Sequence, residues 1–150
     1  MKNRSLPLLP LFADMRGTAA LVVGGGAVAL RKAATLVDHG AAVTVIGVRV
    51  SDGIKRLPVI VYERPYRRGD TRGYRFVYAA TDDTAVNARI ARESKACGAF
   101  VNVCDDPLLS DFVSPAVLRH GICTVAVSSN GRNVRASIAL RHKIQKALSR

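Results

Sequence analysis

The sequence predicts an α/β fold: a parallel sheet built with crossover helices, followed by a small strand–strand–helix region at the C-terminus. Three observations predict it. An unbroken apolar run, Ala19 to Val23, stops at Gly24-Gly25-Gly26 and is followed at once by a helix-forming run from Ala27. A second apolar run, Ala42 to Ile46, comes at the distance that a strand–helix–strand unit requires. Further short apolar runs at 59–62, 76–80 and 100–104 continue the pattern, as in a parallel sheet covered on both faces.

Leu6-Pro7-Leu8-Leu9-Pro10-Leu11-Phe12 reads as an extended lead-in, because its prolines exclude helix. Asp14-Met15-Arg16-Gly17 is a turn, and Thr18 to Val23 the first strand. Gly24, Gly26 and Ala29 then fit the G-x-G-x-x-G/A turn of a dinucleotide-binding, Rossmann-like sheet. Gly24 permits the tight turn. Gly26 has no side chain, so the backbone can approach a pyrophosphate. Ala29 is small enough for helix and strand to pack closely. The helix start presents free N–H groups and a partial positive charge to the phosphates. A glycine turn also occurs in α/β proteins that bind no nucleotide. The strand before it and the helix after it turn this one into a cofactor expectation.

The first helix is expected over Ala27 to His39, with Val28, Ala33, Leu36 and Val37 on its packing side and Gly40 as its C-terminal cap. The second strand, Ala42 to Ile46, leads into Gly47-Val48-Arg49. No acid for a ribose 2′-hydroxyl appears here before Asp52. Arg49 stands near that place, either as a partner for a 2′-phosphate or as a solvated loop residue, which leaves NAD and NADP both open on local chemistry. Val59 to Tyr62 is the third strand. Arg64, Arg67, Arg68, Arg72 and Arg75 form the densest basic run, read as a solvated loop or as a rim that attracts an anion.

Phe76 to Ala80 is the fourth strand. Thr81-Asp82-Asp83 supplies capping chemistry for a helix that carries Val86 and Ile90 and is closed by Gly98. The fifth strand, Phe100 to Cys104, ends in Asp105-Asp106-Pro107. Ligands of open α/β sheets bind beyond the carboxyl ends of the strands, which puts Asp105 and Asp106 where chemistry would occur. Asp-Pro is also a common turn starter. Phe112 to Leu118 and Ile122 to Ser128 read as two more strands joined around His120-Gly121. Asn133 to Ser149 is an amphipathic helix with the stripe Ala136, Leu140, Ile144, Ala147 and Leu148, a face that a partner subunit could cover.

The formal charge of +12 implies an anionic partner. Aromatic residues make up 5% with no Trp, which leaves few platforms for base stacking, and no zinc finger or basic zipper is visible, so nucleic acid is not the expected partner. A polycarboxylate or a phosphate-bearing cofactor fits the charge, as does a solvated surface. Cys97, Cys104 and Cys123 are odd in number and lack metal-site spacing. They read as small buried side chains in a reducing cytoplasm. His39, His120 and His142 are widely separated, so no metal site is expected. No stretch approaches the ~20 apolar residues of a membrane span, and the N-terminal stretch lacks the long apolar run of a signal peptide.

Five ordered blocks resemble one family. They are Leu9-Pro10-Leu11-Phe12; Val22-Val23-Gly24-Gly25-Gly26-Ala27-Val28-Ala29-Leu30-Arg31-Lys32; Ala79-Ala80-Thr81-Asp82-Asp83; Asn102-Val103-Cys104-Asp105-Asp106-Pro107 with Asp111-Phe112-Val113-Ser114-Pro115-Ala116; and Thr124-Val125-Ala126-Val127-Ser128-Ser129-Asn130-Gly131. In order and spacing they resemble the precorrin-2 dehydrogenase/sirohydrochlorin ferrochelatase family, the N-terminal module of siroheme synthases. The resemblance covers nearly the whole chain.

That resemblance implies an NAD-binding Rossmann-like domain over residues 1–111 and a homodimerisation region over residues 112–150. It implies NAD-dependent oxidation of precorrin-2 to sirohydrochlorin and, in many members, insertion of ferrous iron as a substrate. By the match at Asn102-Val103-Cys104-Asp105 the catalytic aspartate is Asp105, expected to be partly desolvated beside Asp106 and to take the proton when NAD accepts hydride. The expected cofactor set is Gly24, Gly25, Gly26, Ala27, Val28, Val48, Arg49, Thr81 and Asp82. The family often lacks the ribose-binding acid, which favours NAD. A tetrapyrrole polycarboxylate would account for the positive charge. Two departures stand out. Family members usually continue into a further helical region that helps cover the tetrapyrrole, so chelation is the step expected to suffer here. The usual Gly-x-Ser-Pro is Gly131-Arg132-Asn133-Val134, in which Asn133 can still cap the helix. The rival expectation is a non-catalytic NAD- or tetrapyrrole-binding regulatory or carrier subunit, which would keep the glycine turn and need no Asp105.

Overall fold

The computed structural model describes residues 7–149. Leu6, the first residue of the expected lead-in, lies outside the described residues, and Pro7 to Phe12 enters no helix or strand. The chain forms two compact units: Phe12–Phe112, and Val113 onward with the stretch that ends at Leu11.

The larger unit runs β1 (Ala19–Val23), α1 (Ala27–Asp38), β2 (Ala42–Gly47), α2 (Asp52–Lys55), β3 (Ile60–Glu63), β4 (Phe76–Ala79), α3 (Thr84–Ala96) and β5 (Phe100–Val103). The strands are all parallel, in the order β3-β2-β1-β4-β5. This is a Rossmann-like sheet. The order turns back at β1 and β4, the kind of switch point at which such sheets bind ligands. Strand alternation divides the core into two layers. Leu21 and Val23 of β1 pack with Ile90 and Ala91 of α3, whereas Ala20 and Val22 pack with Ala29, Ala33 and Leu36 of α1. Each fully buried Leu, Ile or Val contributes about 1.5–3 kcal/mol by leaving water.

The packing side of α1 differs from the expectation at one residue. Ala29, Ala33 and Leu36 are buried, while Val28 in the first turn is exposed. The spacing of the buried three is that of one helical face. Beyond α1, Gly40 takes φ 79 and its N–H donates to the Val37 carbonyl, which ends the helix as expected. The single turn α2 was not expected; four residues cannot show a helical period, and Ile54 anchors it by burial.

β5 is an edge strand whose outer groups are occupied by side chains. The Val101 N–H donates to Asp111 Oδ2 at 3.0 Å and the Val103 N–H to Ser110 Oγ at 2.8 Å. Such caps block pairing with another chain. Phe112 stays with the sheet: its carbonyl accepts from Asn102 Nδ2 at 2.8 Å, and its ring lies edge-on to Phe76 and Tyr78. The strand expected from Phe112 therefore starts later, at Ala116, just past Pro115, which has no N–H to give a ladder.

In the smaller unit β6 (Ala116–His120) and β7 (Cys123–Val127) form an antiparallel hairpin, and α4 (Val134–Leu148) follows. His120 pairs with Cys123, so the turn is Gly121-Ile122 rather than His120-Gly121, and Gly121 supplies φ 56. Asn133 caps α4 by accepting from the Ala136 N–H at 3.0 Å. The unit buries Leu118 and Val127, while Val117, Ile122, Val134, Ile138, Leu140 and Leu148 are exposed.

Candidate functional site

The sheet register brings three turns to one edge. Val23 is level with Ile46 on one side and Ala79 on the other, and Ala79 is level with Val103. With ~4.8 Å between strands, the backbones of Gly24 and Cys104 stand ~10 Å apart. The glycine turn, Ala80-Thr81-Asp82-Asp83 and Cys104-Asp105-Asp106 therefore share the carboxyl edge.

The three glycines differ physically. Gly24 takes φ 136 and donates its N–H to the Ile46 carbonyl at 2.8 Å; a Cβ there would strike the Ala80 carbonyl. Gly25 is closed in as well, since a Cβ would run into the Arg49 carbonyl, and its own carbonyl accepts from the Ser51 N–H at 3.0 Å. Gly26 has φ −89 and ψ −165, and a Cβ on it would meet nothing within 4 Å. It begins α1 without a side-chain cap, and the first turn holds no acid. Uncapped N–H groups, open space over Gly26 and no carboxylate to repel an anion fit the pyrophosphate of a dinucleotide. Ala27 and Val28 are exposed on that first turn, and Ala29 is buried, as close helix–strand packing requires. Sequence reasoning missed Gly47, whose Cβ would sit 3.1 Å from the Gly24 carbonyl carbon; a glycine at the end of the neighbouring strand was the available signal.

On the other side of the edge a buried amide joins two turns. Asn87 of α3 is 1% exposed. Its Oδ1 accepts from Thr81 Oγ1 at 2.7 Å and the Thr81 N–H at 3.2 Å. Its Nδ2 donates to the Thr81 carbonyl at 2.9 Å and to Asp105 Oδ1 at 3.1 Å. Thr81 Oγ1 also meets the Asp83 backbone, so its hydroxyl belongs to the turn. Asp83 caps α3 by accepting from the N–H groups of Ala85 and Val86, and Asp82 is exposed. Asp106 accepts from the Leu108 N–H at 2.9 Å and opens a short 3-10 turn at Pro107, the turn chemistry expected of Asp-Pro. Asp105 is exposed, which corrects the expectation of partial desolvation: its turn leaves an edge strand. Asn87 was missed because Val86 and Ile90 drew attention to the apolar side of the helix. A polar residue one turn before Ile90 was the signal.

Behind this edge, Lys32 lies over the Tyr78 ring at 5.3 Å, and burial lowers its pKa. Burial pushes the Cys104 thiol up, against the pull of the Lys32 ammonium. Cys97 and Cys123 are exposed, contrary to the expectation of buried cysteines, since one ends a helix and the other begins an edge strand.

Val48 and Arg49 leave the end of β2 exposed to water, Val48 by 67%. The nearby Glu63 carboxylate is engaged, accepting from the Val50 N–H at 3.1 Å and pairing with Lys55 at 2.9 Å. The basic run starts at the carboxyl end of β3 and leaves that edge. Arg64 is tied to Asp70 at 2.7 and 2.9 Å, Gly69 donates to Glu93 in the last turns of α3, and the Arg75 N–H donates to the carbonyl of Ala19, the first residue of β1. From Gly69 onward the run has travelled to the opposite end of the sheet. No helix of the described residues is long and apolar enough to cross a membrane.

Residues 11–116 match the model of a family described as "Putative NAD(P)-binding". The chain is 42% identical over 145 residues to a siroheme synthase of Methylococcus capsulatus, a match over 91% of this chain and 30% of that protein. It is 39% identical over 144 residues to a siroheme synthase of Pseudomonas aeruginosa, over 93% of this chain and 31% of that one. The chain thus spans about 30% of the length of these relatives. The solved structure of SirC, a precorrin-2 dehydrogenase, aligns with a TM-score of 0.83 over 93% of this chain and 71% of that one, at 24% identity, and has the same fold.

Proposed function

The chain belongs to this NAD(P)-binding family, and from that premise we propose that it is an NAD-dependent dehydrogenase that oxidises precorrin-2 to sirohydrochlorin. One observation carries the reading: an uncapped helix start beside the open Gly26 and the Asp105 carboxylate, held by a buried amide, share one edge of one sheet. When bound, NAD supplies the hydride acceptor. The chain does the rest. The start of α1 holds the pyrophosphate, with Gly24 and Gly25 shaping the turn and Ala27, Val28, Val48, Arg49, Thr81 and Asp82 around the dinucleotide. Asp105 accepts the proton that leaves the tetrapyrrole as hydride departs, so that precorrin-2 loses one proton to the carboxylate and one hydride, which bound NAD would take up. The formal charge of +12 suits a polycarboxylate substrate.

We assign the same carboxylate a second step, the acceptance of pyrrole N–H protons as ferrous iron, a substrate, enters sirohydrochlorin. Residues 1–111 are read as the NAD-binding domain and residues 112–150 as the contact of a homodimer. Val117, Ile122, Ile138 and Leu140 are exposed in the single chain, and a second copy covering them would remove that apolar surface from water. The reading of a carrier without catalysis is separated from this one by turnover. Mixed with precorrin-2 and NAD, the protein should form NADH in step with loss of precorrin-2. Tight binding of both without NADH would make it a carrier.

A further inference from the structure

We propose that Asn87 is a positioning residue that fixes the rotamer of Asp105 and presents its Oδ2 to the substrate. The inference rests on the reading of Asp105 as the proton acceptor. It is carried by a hydrogen-bond arrangement that admits one orientation of the amide. Two donors, the Thr81 N–H and hydroxyl, face one end of Asn87, and two acceptors, the Thr81 carbonyl and Asp105 Oδ1, face the other. A flipped amide would set its NH₂ against the Thr81 N–H and its oxygen against the Asp105 carboxylate. The NH₂ therefore points at Asp105.

The amide itself cannot move. Asn87 is 1% exposed, and its helix is anchored at the first turn by the two bonds that Asp83 accepts. Asp105, in contrast, is exposed on a turn after an edge strand. An exposed aspartate samples several rotamers, and the bond from Asn87 selects one. That bond is charge-assisted, so it is stronger than a neutral one. With Oδ1 engaged, Oδ2 is the oxygen that meets the departing proton. Through Thr81 the same amide couples the turn after β4 to the carboxylate after β5, which fixes Asp105 relative to the cofactor edge.

The test is a double-mutant cycle on the full chain. Asn87→Ala removes both halves of the clamp. Asn87→Asp keeps the acceptor for Thr81 and replaces the donor by a carboxylate oxygen, and it serves if the alanine variant does not fold. In either variant kcat for NADH formation should fall by up to about 10²-fold, the scale of a misplaced catalytic group, and in Asn87→Asp, which keeps the acceptor for Thr81, NAD affinity should be unchanged. In an Asp105→Asn background the same change should cost kcat nothing further. An equal loss in both backgrounds, or no loss in a folded variant, would overturn the proposal. If Asp105→Asn alone keeps native activity, the reading of Asp105 as the proton acceptor fails instead, and crystal structures decide the positioning claim. An Asp105 carboxylate spread over rotamers in the Asn87 variant supports it, and one ordered as in the native protein overturns it.

Discussion

Gly25 and Gly26 are neighbours with opposite demands, and their substitutions should separate fold from binding. Gly26 has an ordinary φ and open space where a Cβ would stand. Gly26→Val should fold with a melting temperature near the native one, yet lose NAD affinity because the side chain fills the phosphate approach. A folded variant with native affinity in calorimetric titration would contradict this. Gly25→Ala should do the reverse first. Its Cβ meets the Arg49 carbonyl, backbone that cannot swing aside, so thermal unfolding should show a loss of about 1–3 kcal/mol, the range of overpacked interiors. The motif spacing makes Gly24, Gly26 and Ala29 legible in the sequence. Gly25 and Gly47 are not, because their partners approach only when β2 lies beside β1. Asn87 is hidden for the same reason: three of its four partners are on Thr81, but the one that gives it a role is Asp105, on another strand end.

Among the elements, α3 is held at both ends by carboxylates with different roles. Asp83 caps its start, and Glu93 near its end accepts from the Tyr66 hydroxyl at 2.7 Å and the Gly69 N–H at 3.0 Å. Burial pushes Glu93 up, but the Gly69 N–H and the Tyr66 hydroxyl prevail and hold it below the ordinary glutamate range. A carboxyl depressed on folding stabilises the protein while ionised. Its contribution is full above the unfolded value and is lost as pH falls through the lower folded one. Glu93→Gln should cost about 1 kcal/mol at neutral pH, modest because the group is partly exposed. It should also flatten the fall of stability in acid. Urea unfolding of both proteins across the acid range checks the sign; parallel curves would contradict it. The alternation of strands and helices was legible because each long element shows a period or an unbroken apolar run. The short elements were not: α2 and the 3-10 turn at Pro107 are single turns, and the start of β6 is set by the Phe112 ring and Pro115 rather than by hydrophobicity.

For the whole molecule, the positive charge was legible as a sign of an anionic partner, but its placement was not. The loop from Gly69 to Arg75 is drawn to the far end of the sheet by bonds to Glu93 and Ala19. Tetrapyrrole binding should therefore weaken as salt rises, since charges beyond ~10 Å are screened at 0.1 M. It should survive replacement of Arg72 and Arg75 by Gln. A large loss of affinity in that variant, measured by fluorescence titration, would return the basic run to the site. The exposed apolar residues of the smaller unit predict a homodimer in sedimentation; a monomer at micromolar concentration would contradict that reading.

The measurement closest to the centre of the mechanism is NADH formation by Asp105→Asn on mixing with NAD and precorrin-2. NADH is the right signal because it reports transfer of the hydride to the cofactor. The variant keeps the shape of the side chain and loses the base. NAD should bind with native affinity, while the rate of NADH formation should fall by ~10²–10⁴-fold, as for loss of a general base. A native rate in this variant would contradict the assignment of Asp105. A native rate here together with a collapsed rate in Asp106→Asn would move the chemistry to the neighbouring carboxylate, which the structure gives to the turn at Pro107.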